Sequence, residues 1–131
     1  MRTTIEADDA PRPVGPYAQA VLAGEFVFLA GQIGLDPSTG KLVEGGTRGQ
    51  LVRVLENLSA VLHASGHTLD DVVKTTVYLI DLGEMALVNE IYAGYFRAPH
   101  PARATVQVAA LPAGARVEIE AIAVRGARRP S

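Results

Sequence analysis

Apolar positions change period along this chain, and each change marks an element. Residues 17–22 and 25–30 flank Ala23-Gly24, which predicts two strands joined by a tight hairpin. Gly31-Gln-Ile-Gly34 ends the second strand, and Asp36-Pro-Ser-Thr-Gly40 is turn chemistry, with Asp36 able to bond back to the backbone. From Thr47 the period turns helical: Leu51, Val54, Leu55, Leu58, Val61 and Leu62 share one face. Thr47 is the predicted N-cap, Gln50 completes a capping-box pattern, and Gly66 lies just past the end. Residues 72–80 are β-branched and partly alternating, a third strand. A second helix is predicted over 84–97, with Leu87, Val88, Ile91, Tyr92, Tyr95 and Phe96 apolar and Pro99 and Pro101 stopping it.

The last third alternates with period 2 on either side of Leu111-Pro112-Ala113-Gly114 and predicts two more strands. Ala104, Val106 and Val108 share one face of the first, and Arg103, Thr105 and Gln107 the other. In the second, Val117, Ile119 and Ala121 oppose Arg116, Glu118 and Glu120. Arg103, Thr105 and Glu118 therefore fall on polar faces, which meet either water or a pocket.

The predicted order is β-β-α-β-α-β-β in one domain over residues 1–131, an α+β fold of two layers with both helices on one face of a mixed sheet. Apolar residues near 25–30 and 104–110 would leave the other face bare, which predicts an oligomer. Residues 7–16 hold three prolines and are expected to lie as an extended surface arm.

Composition narrows the function classes. With 131 residues, 48% apolar and no apolar run long enough to span a bilayer, a soluble globular protein is expected, and no membrane partner. Net charge is −2 and aromatics make up 5%, without a basic stripe, which argues against nucleic acid. The basic cluster Arg125, Arg128 and Arg129 reads as a solvated tail. Cysteine is absent, which removes disulfides, thiolate zinc sites and a cysteine nucleophile. Acids in the first nine residues do not suit a secretory signal, and a cytoplasmic location is the expectation.

Few residues are left to carry chemistry. His63 and His67 have the spacing of two metal ligands on one helical face, but Gly66 lies between them and takes His67 off that face, so no metal is expected. Gly40-Lys41 lacks the rest of a phosphate loop, and Ser38, Ser59 and Ser65 lack the setting of a nucleophile. Arg103 and Glu118 remain. They are either solvated strand charges or a planar cation for a carboxylate beside a base for water. In a plain hairpin turning at Ala113, Glu118 would face Val108 and leave Arg103 ~17 Å along the strand. If the two cooperate, the strands are not a plain hairpin or the site combines subunits.

Pro101-Ala102-Arg103, Leu111-Pro112 and Val117-Glu118-Ile119-Glu120-Ala121 resemble the signature of the Rid (YjgF) family, in its reactive intermediate deaminase A branch. Gly15-Pro16-Tyr17, Leu29-Ala-Gly31-Gln-Ile, Leu55-Glu-Asn57-Leu, Val73-Lys-Thr-Thr-Val77, Val88-Asn89 and Tyr92 extend the resemblance over nearly the whole chain. It implies a chorismate-mutase-like fold, a homotrimer with sites between subunits, and cofactor-free hydrolysis of 2-imino acids to 2-oxo acids and ammonia. It also implies that Arg103 binds the substrate carboxylate, that Thr105 helps through its backbone, that Glu118 positions the water, and that Tyr17 and Gly31 line the pocket. Ala30 departs from the serine or asparagine usual there, which bears on substrate range. A non-catalytic module that binds small carboxylates is the alternative, and ribonuclease activity, attached to some relatives, is a third reading that the acidic balance disfavours.

Overall fold

The computed structural model describes residues 2–127, so Arg128 and Arg129 of the expected tail lie outside the described residues. The chain runs β1 (Arg2–Ile5), β2 (Ala20–Ala23), β3 (Phe26–Gln32), α1 (Gly46–Ala64), β4 (Val72–Leu79), α2 (Met85–Tyr95), β5 (Ala102–Gln107) and β6 (Val117–Val124). The strands form one sheet in the order β1-β2-β3-β6-β4-β5. All neighbours are antiparallel except β4 and β5. The expected α+β architecture is present, with one strand more than predicted. β1 is a four-residue edge strand whose Ile5 alone is buried, too short to leave a pattern.

Both helices cover the same face. Leu51, Val54, Leu55, Leu58, Val61 and Leu62 of α1 are fully buried against Val27, Val77, Leu79, Val117, Ile119 and Ala123 of the sheet. From α2, Val88, Ile91 and Tyr92 join them, and the Tyr92 hydroxyl pairs with that of buried Thr75 at 2.7 Å. That pairing satisfies two polar groups that burial would otherwise penalise.

Two expectations are corrected. First, α1 does not start on a capping box. Its N-cap is Gly45, whose φ of 103° suits glycine, and no side chain caps the helix. Thr47 and Gln50 are buried and turned toward β6 instead. Thr47 Oγ1 accepts from Arg116 Nε (2.8 Å) and donates to Glu84 (2.9 Å), while Gln50 Oε1 accepts from the Arg116 amide (2.8 Å). Arg116 also pairs with Glu84 at 2.8 Å, so these groups pin the start of β6 to both helices.

Second, β5 and β6 are not a hairpin. The predicted turn exists, with Ala113 and Gly114 at positive φ, but β4 runs between the two strands. The faces of β5 fall as the bare apolar positions near 104–110 imply. Arg103 and Thr105 sit beside Thr75 and Val77 in register, on the helix side, whereas Ala104 and Val106 are exposed on the open face. An edge strand beside a short helix leaves room for polar side chains under the helix, and the apolar side is left without a cover.

The arm before β2 is more than a surface strap. Ala7 and Ala10 are buried, and Gln19 is clamped beneath them. Its Oε1 accepts from the Ala7 amide (2.6 Å), and its amide group shares its N–H donors among the carbonyls of Ala7 (3.1 Å), Ala10 (3.4 Å) and Pro11 (2.8 Å). Gln19→Leu leaves those buried backbone groups unpaired, an expected cost of about 1–3 kcal/mol. Scanning calorimetry should register a lowered Tm, and proteolysis should cut within residues 7–16 before the rest of the domain opens. An unchanged Tm would show that the clamp contributes nothing.

Candidate active site

Glu118 projects from β6 onto the open face, between the buried Val117 and Ile119. Across the strand gap, β3 breaks register between Leu29 and Gln32. Such a bulge bends the strand and re-aims its residues. Here it brings the Gly31 backbone under the Glu118 carboxyl: a Cβ on Gly31 would lie 2.5 Å from Glu118 Oε2 and 2.8 Å from its Cδ. Only glycine permits that approach. Gly31→Ala is expected to push the carboxyl out of place while folding normally, since the displaced atoms are the end of a flexible side chain. Little cost in Tm is the expected result of thermal melting, and a large fall in Tm would show that the backbone rather than the carboxyl gives way.

Tyr17, Ala30, Gly31 and Glu118 line one cleft of about 340 Å³, with Arg12 and Pro112 at its sides. Tyr17 is 53% exposed, its hydroxyl accepting from the Val14 amide at 3.4 Å. Asn57, fully buried in α1, holds the cleft floor by donating to the carbonyls of Ile33 (3.3 Å) and Leu35 (3.0 Å). Glu118 makes no hydrogen bond or ion pair among the described residues. Burial, and secondarily the nearby charge of Glu120, raises its pKa above the usual carboxylate value. Glu120 is occupied, accepting from Tyr78 Oη at 2.9 Å. A half-buried carboxylate with a raised pKa and no partner is suited to take a proton from water.

Arg103 stands elsewhere. Its Nη2 donates to Asn89 Oδ1 (2.7 Å), approaches Met85 Sδ (3.8 Å), and the guanidinium carbon lies 4.9 Å from the centre of the Tyr92 ring. Met85, Asn89 and Tyr92 recur at the spacing of one helical stripe, so α2 grips the guanidinium on one side. Nε and Nη1 make no hydrogen bond among the described residues, and with the second hydrogen of Nη2 they leave an edge able to take a carboxylate. Arg103, Asn89, Tyr92, His100 and Pro101 line a second groove of about 340 Å³. Thr105 lies on the same side of β5 but borders neither cleft.

The structure thus brings together Tyr17, Gly31 and Glu118 and leaves Arg103 and Thr105 apart from them. Within one chain Arg103 is under the helices and Glu118 is on the open face. Their levels on β4, at Thr75 and Tyr78, differ by three residues across two strand gaps, roughly 14 Å between backbones. No rotamer joins them through the sheet. Asn89 and Tyr92, the supports of Arg103, were not among the predicted site residues. The available signal was Asn89, a polar residue on the stripe Met85-Asn89-Tyr92 beside an apolar face.

Other candidate chemistry is absent from these clefts. A larger cavity, about 700 Å³, lies under the arm and reaches Tyr17 and Arg12 but neither Glu118 nor Arg103. His63 is exposed, whereas His67 is buried with Nδ1 2.8 Å from the Ser65 carbonyl, so the two do not converge. Among the described residues, no group of three or more His, Cys, Asp or Glu could hold a metal ion, and no helix is long and apolar enough to cross a membrane.

Comparison with known proteins converges on one family. Residues 7–125 match the family described as Endoribonuclease L-PSP. The chain is 51% identical over 126 residues to the 2-iminobutanoate/2-iminopropanoate deaminase of Mus musculus, covering 96% of this chain and 92% of that protein. Among solved structures, RidA from an Antarctic Psychrobacter superposes with a TM-score of 0.90 at 48% identity, covering 93% of this chain and 98% of that one. TdcF from E. coli, solved with bound serine, gives 0.90 at 42% identity, covering 95% and 99%. With the six-stranded mixed sheet under two helices already described, these matches show that the chain belongs to the Endoribonuclease L-PSP family, also known as Rid or YjgF.

Proposed function

We propose that this protein hydrolyses reactive 2-imino acids, of the kind released by pyridoxal-phosphate-dependent dehydratases, to 2-oxo acids and ammonia. The reaction takes place in clefts between the subunits of a homotrimer. The observation that carries this reading is the division of labour in one chain: a guanidinium held on one side with free donors, and a partnerless carboxylate with a raised pKa on the opposite face of the sheet. Each is half of a site for a carboxylate-bearing electrophile, and a neighbouring protomer supplies the other half. The open face supports association. Phe26 and Phe28 stack at 5.9 Å between centroids and are 47% and 46% exposed, and Val106 is exposed toward the β5 edge.

In the proposed step Arg103 holds the substrate carboxylate along one edge of its guanidinium, pairing the Nη2 hydrogen not given to Asn89 with a neighbouring N–H, while Thr105 contributes from the same strand. Glu118 of the adjoining protomer orients a water and takes its proton as the oxygen bonds to the imine carbon. The imine nitrogen acquires that proton, giving a carbinolamine. Its hydroxyl then gives up the second proton, which Glu118 passes to the nitrogen as the carbon–nitrogen bond breaks and the carbonyl forms, so ammonia leaves with a 2-oxo acid in place. Tyr17 and Gly31 wall the cleft, and Ala30 leaves its side apolar. The step needs no cofactor, because an imine carbon is already electrophilic. A cytoplasmic location suits such a role, close to the enzymes that release these imines. The names of the mouse and Psychrobacter relatives support the reading.

The test supplies 2-iminobutanoate from a coupled dehydratase and follows its disappearance. Acceleration by the protein is the expected result. Saturable binding of 2-oxobutanoate without acceleration would instead indicate a non-catalytic carboxylate sensor.

A further inference from the structure

We propose that Arg12 makes the Glu118 cleft selective for imino and oxo acids whose side chain ends in a second carboxylate. This rests on the reading of that cleft as the imino-acid site. Arg12 stands between Pro11 and Pro13, whose rings fix φ and restrict the backbone around it. The Pro11 carbonyl is held by Gln19 Nε2 at 2.8 Å, so the arm is tied to the sheet at the residue from which Arg12 departs. Arg12 and Glu118 line the same cleft, and no other arginine or lysine lines it. The guanidinium is exposed and makes no ion pair or hydrogen bond among the described residues.

The rest of the wall bears on what Arg12 would meet. Val14, Ala30, Ile33 and Leu35 are apolar, so a ligand side chain running along them finds one cation, Arg12. In the proposed site the 2-carboxylate belongs to Arg103 of the neighbouring protomer, and Arg12 is left for the far end of the ligand. A space of about 340 Å³ has room for more than a methyl or ethyl side chain, at roughly 30 Å³ per water-sized group. A guanidinium held by a braced backbone loses less freedom on pairing with a carboxylate than one on a mobile loop.

Titration calorimetry on the full chain with 2-oxoglutarate and 2-oxobutanoate tests this. These stable oxo acids stand for the products of the two imine classes. The readout is the ratio of their affinities. Arg12→Ala should lower the preference for 2-oxoglutarate about fivefold, the range of an exposed ion pair. Arg12→Lys should recover part of it, Arg12→Glu should reverse it, and added salt should shrink it in the unaltered protein. An unchanged ratio in Arg12→Ala, an equal loss for both acids, or no measurable binding of 2-oxoglutarate by the unaltered protein would overturn the proposal. The imine assay reports separately on the proposed function: binding with the expected ratio but no hydrolysis sinks the reaction and leaves Arg12 selectivity standing.

Discussion

Arg103→Ala is expected to lower kcat/KM for 2-iminobutanoate by roughly 10²- to 10³-fold, the loss that follows when one partner of a desolvated charge pair is truncated. The guanidinium is the only group described at that groove able to take a carboxylate with two parallel N–H donors, and α2 has already fixed its orientation through Asn89 and Tyr92. Arg103→Lys should recover only a minor part, because an ammonium offers a point charge without the fork. Asn89→Ala leaves the charge and removes its support, so it should raise KM more than it lowers kcat. Arg103→Ala hydrolysing the imine at the wild-type rate would end the assignment.

Glu118→Gln is expected to cut kcat by about 10²- to 10⁴-fold, the usual contribution of a positioned general base, with a smaller effect on substrate binding. The pH dependence has a defined sign. Glu118 acts as a base only when ionised, and burial lifts its pKa above the ordinary carboxylate value. The kcat profile should therefore rise with pH through that raised pKa, and Glu118→Gln should flatten the limb. Stability runs the other way. A carboxyl whose folded pKa is raised stabilises the fold fully below its unfolded pKa, and this is lost as pH rises through the folded value. Glutamine has no charge to desolvate, so the variant should melt above wild type at neutral pH, and the gap should close on acidification. Lower activity with a higher Tm at pH 7 is a combination that a merely structural Glu118 would not produce.

Periodicity made most of this fold legible. The buried face of α1, the β2–β3 hairpin and the strand at residues 72–79 follow from side chains that have one place to go. What it concealed was strand order. Alternation in β5 and β6 specifies faces but not neighbours, and a three-residue turn at Pro112–Gly114 looks the same whether the strands pair or β4 lies between them. The alternation of β5 left open whether its polar side meets water or a pocket, and the Asn89 stripe of α2, which holds Arg103 on the helix side, is a long-range feature. Thr47 and Gln50 fitted a capping box in spacing, and the long-range pull of Arg116 used them instead. For the site, Glu118 stood out as an acid on a polar strand face, whereas Gly31 entered only through the family resemblance, and their contact depends on a bulge in β3 that reading Gly31 as a strand end did not include. Arg12 and the Gln19 clamp were invisible, since both gain meaning only when the arm folds back over β2.

Whether Arg103 and Glu118 meet across protomers is tested most directly by mixing two inactive variants. Arg103→Ala and Glu118→Gln chains, denatured together and refolded in equal amounts, should regain about a quarter of wild-type activity. Random assembly of a closed ring leaves about one shared site in four with both residues intact, whatever the number of subunits. Activity no greater than the average of the two variants refolded separately would contradict a site shared between subunits.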